Sequence, residues 1–287
     1  KFLKSFMKIG IVGYGFVGKA VENGINDSVS TLNIDPKLNT SIKDLVPFQP
    51  NIIFICVPTP LCEDLSLDAS IVHSVVDEIL EYNMNSLIVL KSTILPNHLQ
   101  EISQRVKRFI YNPEFLREKH ANEDFLNSNL IVFGGEQKNI DEIKDFYIEK
   151  TKCTCKSYVE TDLVTASLIK YSINSYLSTK VSFFNELKSI FEKAGANDSW
   201  DNFIRYLQRD SRLGNSHMSV PGHDGKEGFG GACLPKDSLA LLNFYKDNNL
   251  DFKVLKSAVD VNNVIRDKYN DDPREREQRI NFKKRIT

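Results

Sequence analysis

The chain has 287 residues, 41% of them hydrophobic, with Lys+Arg 37 against Asp+Glu 38 and a formal net charge of -1. This is the profile of a folded protein of one large or two medium domains, with no global attraction to nucleic acid or to anionic lipid. The longest apolar runs, such as NIIFICV at 51–57, fall far short of the roughly 20 residues that cross a bilayer, so no membrane segment is expected.

The opening KFLKSF is too short for a secretory signal, and MKIGIV from Met7 reads like a natural start, which points to the cytoplasm. Five cysteines, an odd number in a chain long enough to build its own core, argue against a disulfide framework. Cys153 and Cys155 lack a second Cys or His pair at zinc spacing, so no metal is expected.

In chain order, the apolar runs at 8–13, 30–35, 51–57, 86–92, 108–112 and 130–135 are continuous, as in strands buried on both faces. Segments of helical spacing lie between several of them, for example Ile71, Val72, Val75, Val76, Ile79 and Leu80. Strand, helix, strand at this spacing predicts a parallel sheet covered by helices.

GYGFVG at 13–18 falls in the first turn of that sheet. Gly13 permits the tight turn, Gly15 lets a pyrophosphate lie on the backbone, and Gly18 lets helix and strand pack closely. Asp35 ends the next strand at the distance expected for a ribose ligand, which favours NAD over NADP, with Lys37 nearby pulling the other way. CVPTP with Thr59, KSTILP with Ser92 and Thr93, and YNPEF with Glu114 follow three further strands, at the edge where open parallel sheets bind ligands.

After Lys152 the pattern turns helical. Thr161 is a plausible cap, and the apolar stripe from Leu163 to Phe191 runs until Gly195, predicting one helix of about 33 residues, roughly 50 Å long. That length exceeds one domain's needs and suggests a domain link and a dimer interface. Lys170 and Asn174 share one face of it within the apolar stripe, either as a purposeful buried cation or as a snorkelling structural lysine.

GFGGACLPKD at 228–237 sets Cys233 among glycines. Either the chain turns tightly there and the thiol is incidental, or the glycines leave an approach path to a reactive sulfur. SLALLNFYKDN returns to helix directly afterwards, so the thiol stands at a helix start, where N–H groups and the dipole stabilise a thiolate. Lys236 and Asp237 add a charge and a carboxylate.

The ordered set GYGFVG, CVPTP, KSTILP, NPEFLRE, KYSINSYLSTKVSFFNEL and GFGGACLPKD resembles the UDP-glucose/GDP-mannose dehydrogenase family over about residues 7–265. The resemblance implies NAD-dependent oxidation of the C6 alcohol of a nucleotide sugar, most simply UDP-glucose, to the carboxylate in two hydride transfers. Cys233 would form the thiohemiacetal and thioester. Lys170 and Asn174 would hold the C6 oxygen, while Thr93, Glu114 and Asp237 would position water and pass protons. Gly13, Gly15, Phe16, Val17, Gly18, Asp35, Thr59 and Thr93 would hold NAD. Glu114, Phe115, Leu116, Lys170, Asn174, Phe229, Gly230 and Gly231 would line the substrate, with Arg212 reaching a phosphate of its own protomer or one across a dimer interface.

The expected architecture is α/β: a Rossmann-type NAD-binding domain at 1–155, an all-α central domain at 156–270 built on the long helix and carrying the cysteine loop, and a charged tail at 271–287. The resemblance further implies a short form without the family's C-terminal UDP-binding domain. The charge density of the tail predicts a solvated helix or disorder. Two other readings stand beside the main one: a β-hydroxyacid-type dehydrogenase with a single hydride transfer, and a non-catalytic NAD-binding protein.

Overall fold

The computed structural model describes residues 7–155 and 157–284. The chain alternates from its start: β1 (Met7–Val12), α1 (Phe16–Gly24), β2 (Val29–Ile34), α2 (Leu45–Phe48), β3 (Ile52–Ile55), α3 (Ser70–Glu81), β4 (Leu87–Leu90), α4 (Pro96–Arg105), β5 (Phe109–Tyr111), α5 (Ala121–Leu126), β6 (Ile131–Gly135), α6 (Gln137–Lys150) and β7 (Tyr158–Thr161). Helices follow: α7 (Leu163–Lys193), α8 (Trp200–Leu207), α9 (Leu234–Asp247), α10 (Lys253–Arg266) and α11 (Pro273–Glu277).

The strands form one sheet in the order β2-β1-β3-β4-β5-β6-β7. IIFI of β3 and LIVL of β4 are buried at every position, which is why their apolar runs are unbroken. Register aligns Val12 with both Ile34 and Ile55, Ile55 with Leu90, and Leu90 with Tyr111. Five strands therefore end level, and the segments after them leave from one edge. β6 departs from the expected parallel sheet, since it runs antiparallel to β5. β7 was not expected at all; its YVET is partly exposed at the sheet margin and carries no apolar run.

The chain divides into two compact units, one comprising the residues up to Thr59 with Asp68–Lys170, the other Pro60–Leu67 with the residues from Tyr171 onward. This differs from a division at 155, because β7 extends the sheet and the first turns of α7 pack on it. Ser167 donates to the carbonyl of Ile94 at 2.7 Å, and a Cβ at Gly134 would stand 2.6 Å from that of Ala166. Asp162, not Thr161, caps α7, accepting from the N–H of Thr165 at 2.9 Å. Gly195, at φ +74°, follows the helix where only glycine turns left without strain.

In the second unit Phe184, Ile204, Met218 and Val220 form a core beneath α7 and α8. The tail is not the solvated segment its composition suggests. Asp272 and Glu275 make a capping box at α11, and Glu275, Ile280 and Phe282 are buried. Among the described residues no helix is long and apolar enough to cross a membrane, and no cysteine is in a disulfide.

Candidate active site

The first unit carries the glycine turn. Gly13 sits at φ +91°, and a Cβ there would lie 2.7 Å from the carbonyl of Cys56. A Cβ on Gly18 would collide with the carbonyl of Gly13, whereas at Gly15 the space is open. α1 begins at Phe16 with no side-chain cap and no acidic residue in its first turn, so the N–H groups of Phe16, Val17 and Gly18 face outward without intrahelical partners. An open glycine beside an uncapped helix start fits a pyrophosphate. Asp35 accepts from the N–H of Tyr14 at 2.8 Å and of Lys37 at 2.9 Å, which ties the turn to the end of β2 and leaves carboxylate lone pairs for a ribose hydroxyl. These residues fit NAD.

At the neighbouring strand ends, the buried Thr59 donates its hydroxyl to the carbonyl of Thr93 at 2.8 Å, so it clasps the segments after β3 and β4 together. Lys170 is 3% exposed; its ammonium donates to the carbonyl of Glu114 at 2.6 Å and stands 3.6 Å from that residue's carboxylate. Glu114 in turn accepts from the N–H of Leu116 at 2.6 Å, and the Lys170 ammonium lies 5.3 Å from the centre of the Phe115 ring. Phe115 and Leu116 thus serve the Lys170–Glu114 pair, Phe115 by its ring and Leu116 by its backbone, while the Leu116 side chain packs on the sheet core. The snorkelling alternative fails for Lys170, whose ammonium is buried.

Lys91 and Asn112 belong to this cluster although the sequence reading assigned them nothing. Lys91 donates to Oδ1 and to the carbonyl of Asn112 at 2.9 and 3.3 Å, and the Tyr147 hydroxyl donates to the same Oδ1 at 2.7 Å. Burial drags the Lys91 ammonium down to about 8, against partial support from Cys56 and Glu114. Burial likewise pushes the Cys56 thiol up to about 12. The available signal was a lysine directly after a run of fully apolar strand residues.

The second unit carries the thiol. Cys233 is the residue before α9, partly exposed, and Asp237 one turn later donates its N–H to the Cys233 carbonyl at 2.9 Å. Asp237 is 1% exposed; its carboxylate accepts from Asn174 of α7 at 2.6 Å and from Lys236 at 2.6 Å. A buried carboxylate held by an amide and an ammonium thus lies one helical turn beyond the sulfur.

The glycine loop is braced from behind. Asn185 accepts from the N–H of Gly228 at 2.9 Å, Asn262 both accepts from Phe229 N–H at 2.6 Å and donates to its carbonyl at 3.0 Å, and Glu275 accepts from Gly231 N–H at 3.0 Å. A Cβ on Gly230 would collide with the Arg266 guanidinium, so glycine there admits this brace. The Phe229 ring is buried and its backbone is bonded to Asn262 in both directions. Arg212 is highly exposed and paired with Asp210 two residues before it.

Residues 19–150 match the UDP-glucose/GDP-mannose dehydrogenase family, NAD binding domain, and 164–264 match the central domain of the same family. A UDP-glucose 6-dehydrogenase of Rickettsia bellii is 39% identical over 218 residues, 73% of this chain and 48% of that protein. The chain spans about half the length of the curated relatives it matches. A UDP-glucose dehydrogenase structure from Pyrobaculum islandicum aligns with a TM-score of 0.74 and 23% identity over 92% of this chain and 69% of that one. A 3-hydroxyisobutyrate dehydrogenase of Mycobacterium tuberculosis aligns at 0.68 with 15% identity, over 88% of this chain and 91% of that one. The two structural likenesses speak to the fold; the two matched domains, in the family's order, speak to lineage. The chain belongs to the UDP-glucose/GDP-mannose dehydrogenase family.

Proposed function

We propose that this protein oxidises the C6 alcohol of a nucleotide sugar to the carboxylate, with UDP-glucose to UDP-glucuronate as the leading case, through a covalent adduct on Cys233. The observation that carries the reading is the buried Asn174–Asp237–Lys236 group one turn beyond a glycine-flanked thiol at a helix start. A single alcohol oxidation needs no such thiol.

When bound, NAD supplies the hydride acceptor for both oxidations. The glycine turn and Asp35 hold it. In the first oxidation the C6 hydroxyl loses its proton toward a carboxylate, and the Lys170 ammonium and the Asn174 amide stabilise the charge left on oxygen. Lys170 donates to the carbonyl of Glu114 and Asn174 to the carboxylate of Asp237, which fixes where both groups stand. The Cys233 sulfur then adds to the aldehyde carbon, and the same donors hold the oxygen of the thiohemiacetal. Its oxidation leaves a thioester. Water, positioned with Thr93, Glu114 and Asp237, adds to the carbonyl; the C–S bond breaks, the carboxylate leaves and the thiolate is restored.

A single-hydride reading of the β-hydroxyacid type rests on Lys170 and Asn174, four residues apart on α7, which would serve one oxidation without the thiol. NADH yield separates the two. With NAD and limiting UDP-glucose, and GDP-mannose in parallel, the wild type should give two NADH per sugar, and Cys233→Ser should stall after the first or stay silent. One NADH per substrate, unchanged in Cys233→Ser, removes the thiol from the mechanism. We also propose a homodimer formed along α7, whose outward stripe is taken up in the Discussion.

A further inference from the structure

Away from the dinucleotide turn, α3 and α4 bring two imidazoles and a carboxylate together. Nε2 of His73 lies 3.1 Å from Nδ1 of His98, with the rings edge to face at 64°. Oε2 of Glu101, on the same face of α4 as His98, is 3.7 Å from the first nitrogen and 3.9 Å from the second. Both imidazoles are about one quarter exposed, and Glu101 is 60% exposed. These three are the one group of ligand-bearing side chains among the described residues whose donor atoms all fall within 4.8 Å of one another.

We infer that His73, His98 and Glu101 form a binding site for a divalent transition-metal cation, with Zn²⁺ the best-suited ion. Two nitrogens on one tetrahedral zinc, each at roughly 2.0–2.1 Å, stand about 3.3–3.4 Å apart. The observed 3.1 Å between the imidazole nitrogens is close to that edge before any movement. Glu101 must approach by about half an ångström, which an exposed side chain on a helix surface does by rotation. Two imidazoles and a carboxylate suit zinc among borderline ions and leave the fourth position to water.

Arg105 sets the terms of binding. Its Nη2 is 3.0 Å from Nδ1 of His73, and its Nη1 is paired with Asp77. A guanidinium only donates, so in this contact Nδ1 accepts and Nε2 carries the ring proton, directed at His98. A cation on Nε2 requires that proton on Nδ1, where it faces the guanidinium. The metal and Arg105 therefore compete for His73.

The test is a titration of Co²⁺, a coloured stand-in for zinc, into the purified chain. One equivalent should bind with the visible bands of four-coordinate nitrogen and oxygen ligation, and Zn²⁺ should displace it and raise the thermal midpoint. His98→Gln and the exposed Glu101→Gln should each weaken binding by about 10-fold or more, and Arg105→Ala should tighten it by about 10-fold. Circular dichroism and NAD affinity report that each variant is folded. Intense near-ultraviolet thiolate bands would assign the ion to cysteine and overturn the proposal. So would binding unchanged in both ligand variants, the absence of visible bands at a large excess of Co²⁺, or weaker binding in Arg105→Ala.

Discussion

Lys91 follows β4, 3% exposed, with its ammonium bonded to two oxygens of Asn112. Its depression from 10.5 to about 8 is a stability statement. Below the folded value both folded and unfolded chains carry the proton, so the full cost of burying the charge is present, about 3 kcal/mol at 1.36 kcal/mol for each pH unit. Between pH 8 and 10.5 the unfolded chain still binds the proton and the folded chain does not, so stability rises with pH and the cost disappears above the unfolded value. Lys91→Met keeps the length and removes the charge. Urea unfolding of both proteins across this range should show wild type gaining about 3 kcal/mol relative to Lys91→Met as pH increases. A difference that stays flat would mean that the ammonium is hydrated in solution. At the same scale Cys233 was legible in the sequence because glycines and a Pro-Lys-Asp start surround it. Asn185 and Asn262 were not, because each bonds a backbone 43 or 33 residues away and leaves no local pattern.

Among the elements, α7 has an unusual outward face. Tyr176, Phe183 and Ile190, seven residues apart, are 62%, 59% and 62% exposed, and residues at this spacing share one side of a helix. A ring-bearing stripe of this length is the kind of surface that a second copy of the helix covers. Phe183→Asp places a charge at its centre and gives up one edge-to-face contact with the buried Phe184, whose ring stays in the core. Light scattering after size exclusion should show a dimer for wild type and a monomer for Phe183→Asp, with helical content by circular dichroism unchanged. Identical masses would leave the stripe without a partner of its own kind. The elements also mark where sequence stops informing. The strands β1 to β6 were legible because burial on both faces demands unbroken apolar runs. The direction of β6 was not, since antiparallel and parallel strands buried on both faces look alike in composition, and β7 at the margin has only four residues with no apolar run.

For the molecule as a whole, the charged segment after α10 is where composition misled most, and the reason is a pair of residues. Arg266, 1% exposed, donates to Asp224 at 2.8 Å and to Glu275 at 2.7 Å, while Glu275 also accepts the Gly231 N–H at 3.0 Å. A run of charges reads as solvated unless its members find partners, and here one partner lies 42 residues away in the loop that leads to Cys233. The tail also returns to the beginning of the chain's second unit, where Gln278 accepts from the N–H of Leu61 at 3.1 Å and Arg279 donates to the Leu61 carbonyl at 3.2 Å. Removing Glu275 should therefore act on stability and on the thiol loop together. Glu275→Leu takes away one of the two carboxylates that hold the buried Arg266 guanidinium, and a loss of about 3 kcal/mol is expected in urea unfolding. Arg266→Met together with Glu275→Leu removes the uncompensated charge and should recover most of that loss. The Gly231 N–H stays without its acceptor in the double variant. If the brace positions the thiol, the rescued protein should still alkylate at Cys233 faster than wild type and turn over more slowly, with NAD affinity unchanged. A double variant as unstable as Glu275→Leu would show instead that the tail acts through apolar packing of Ile280 and Phe282, and that the buried ion pair contributes nothing to the loop.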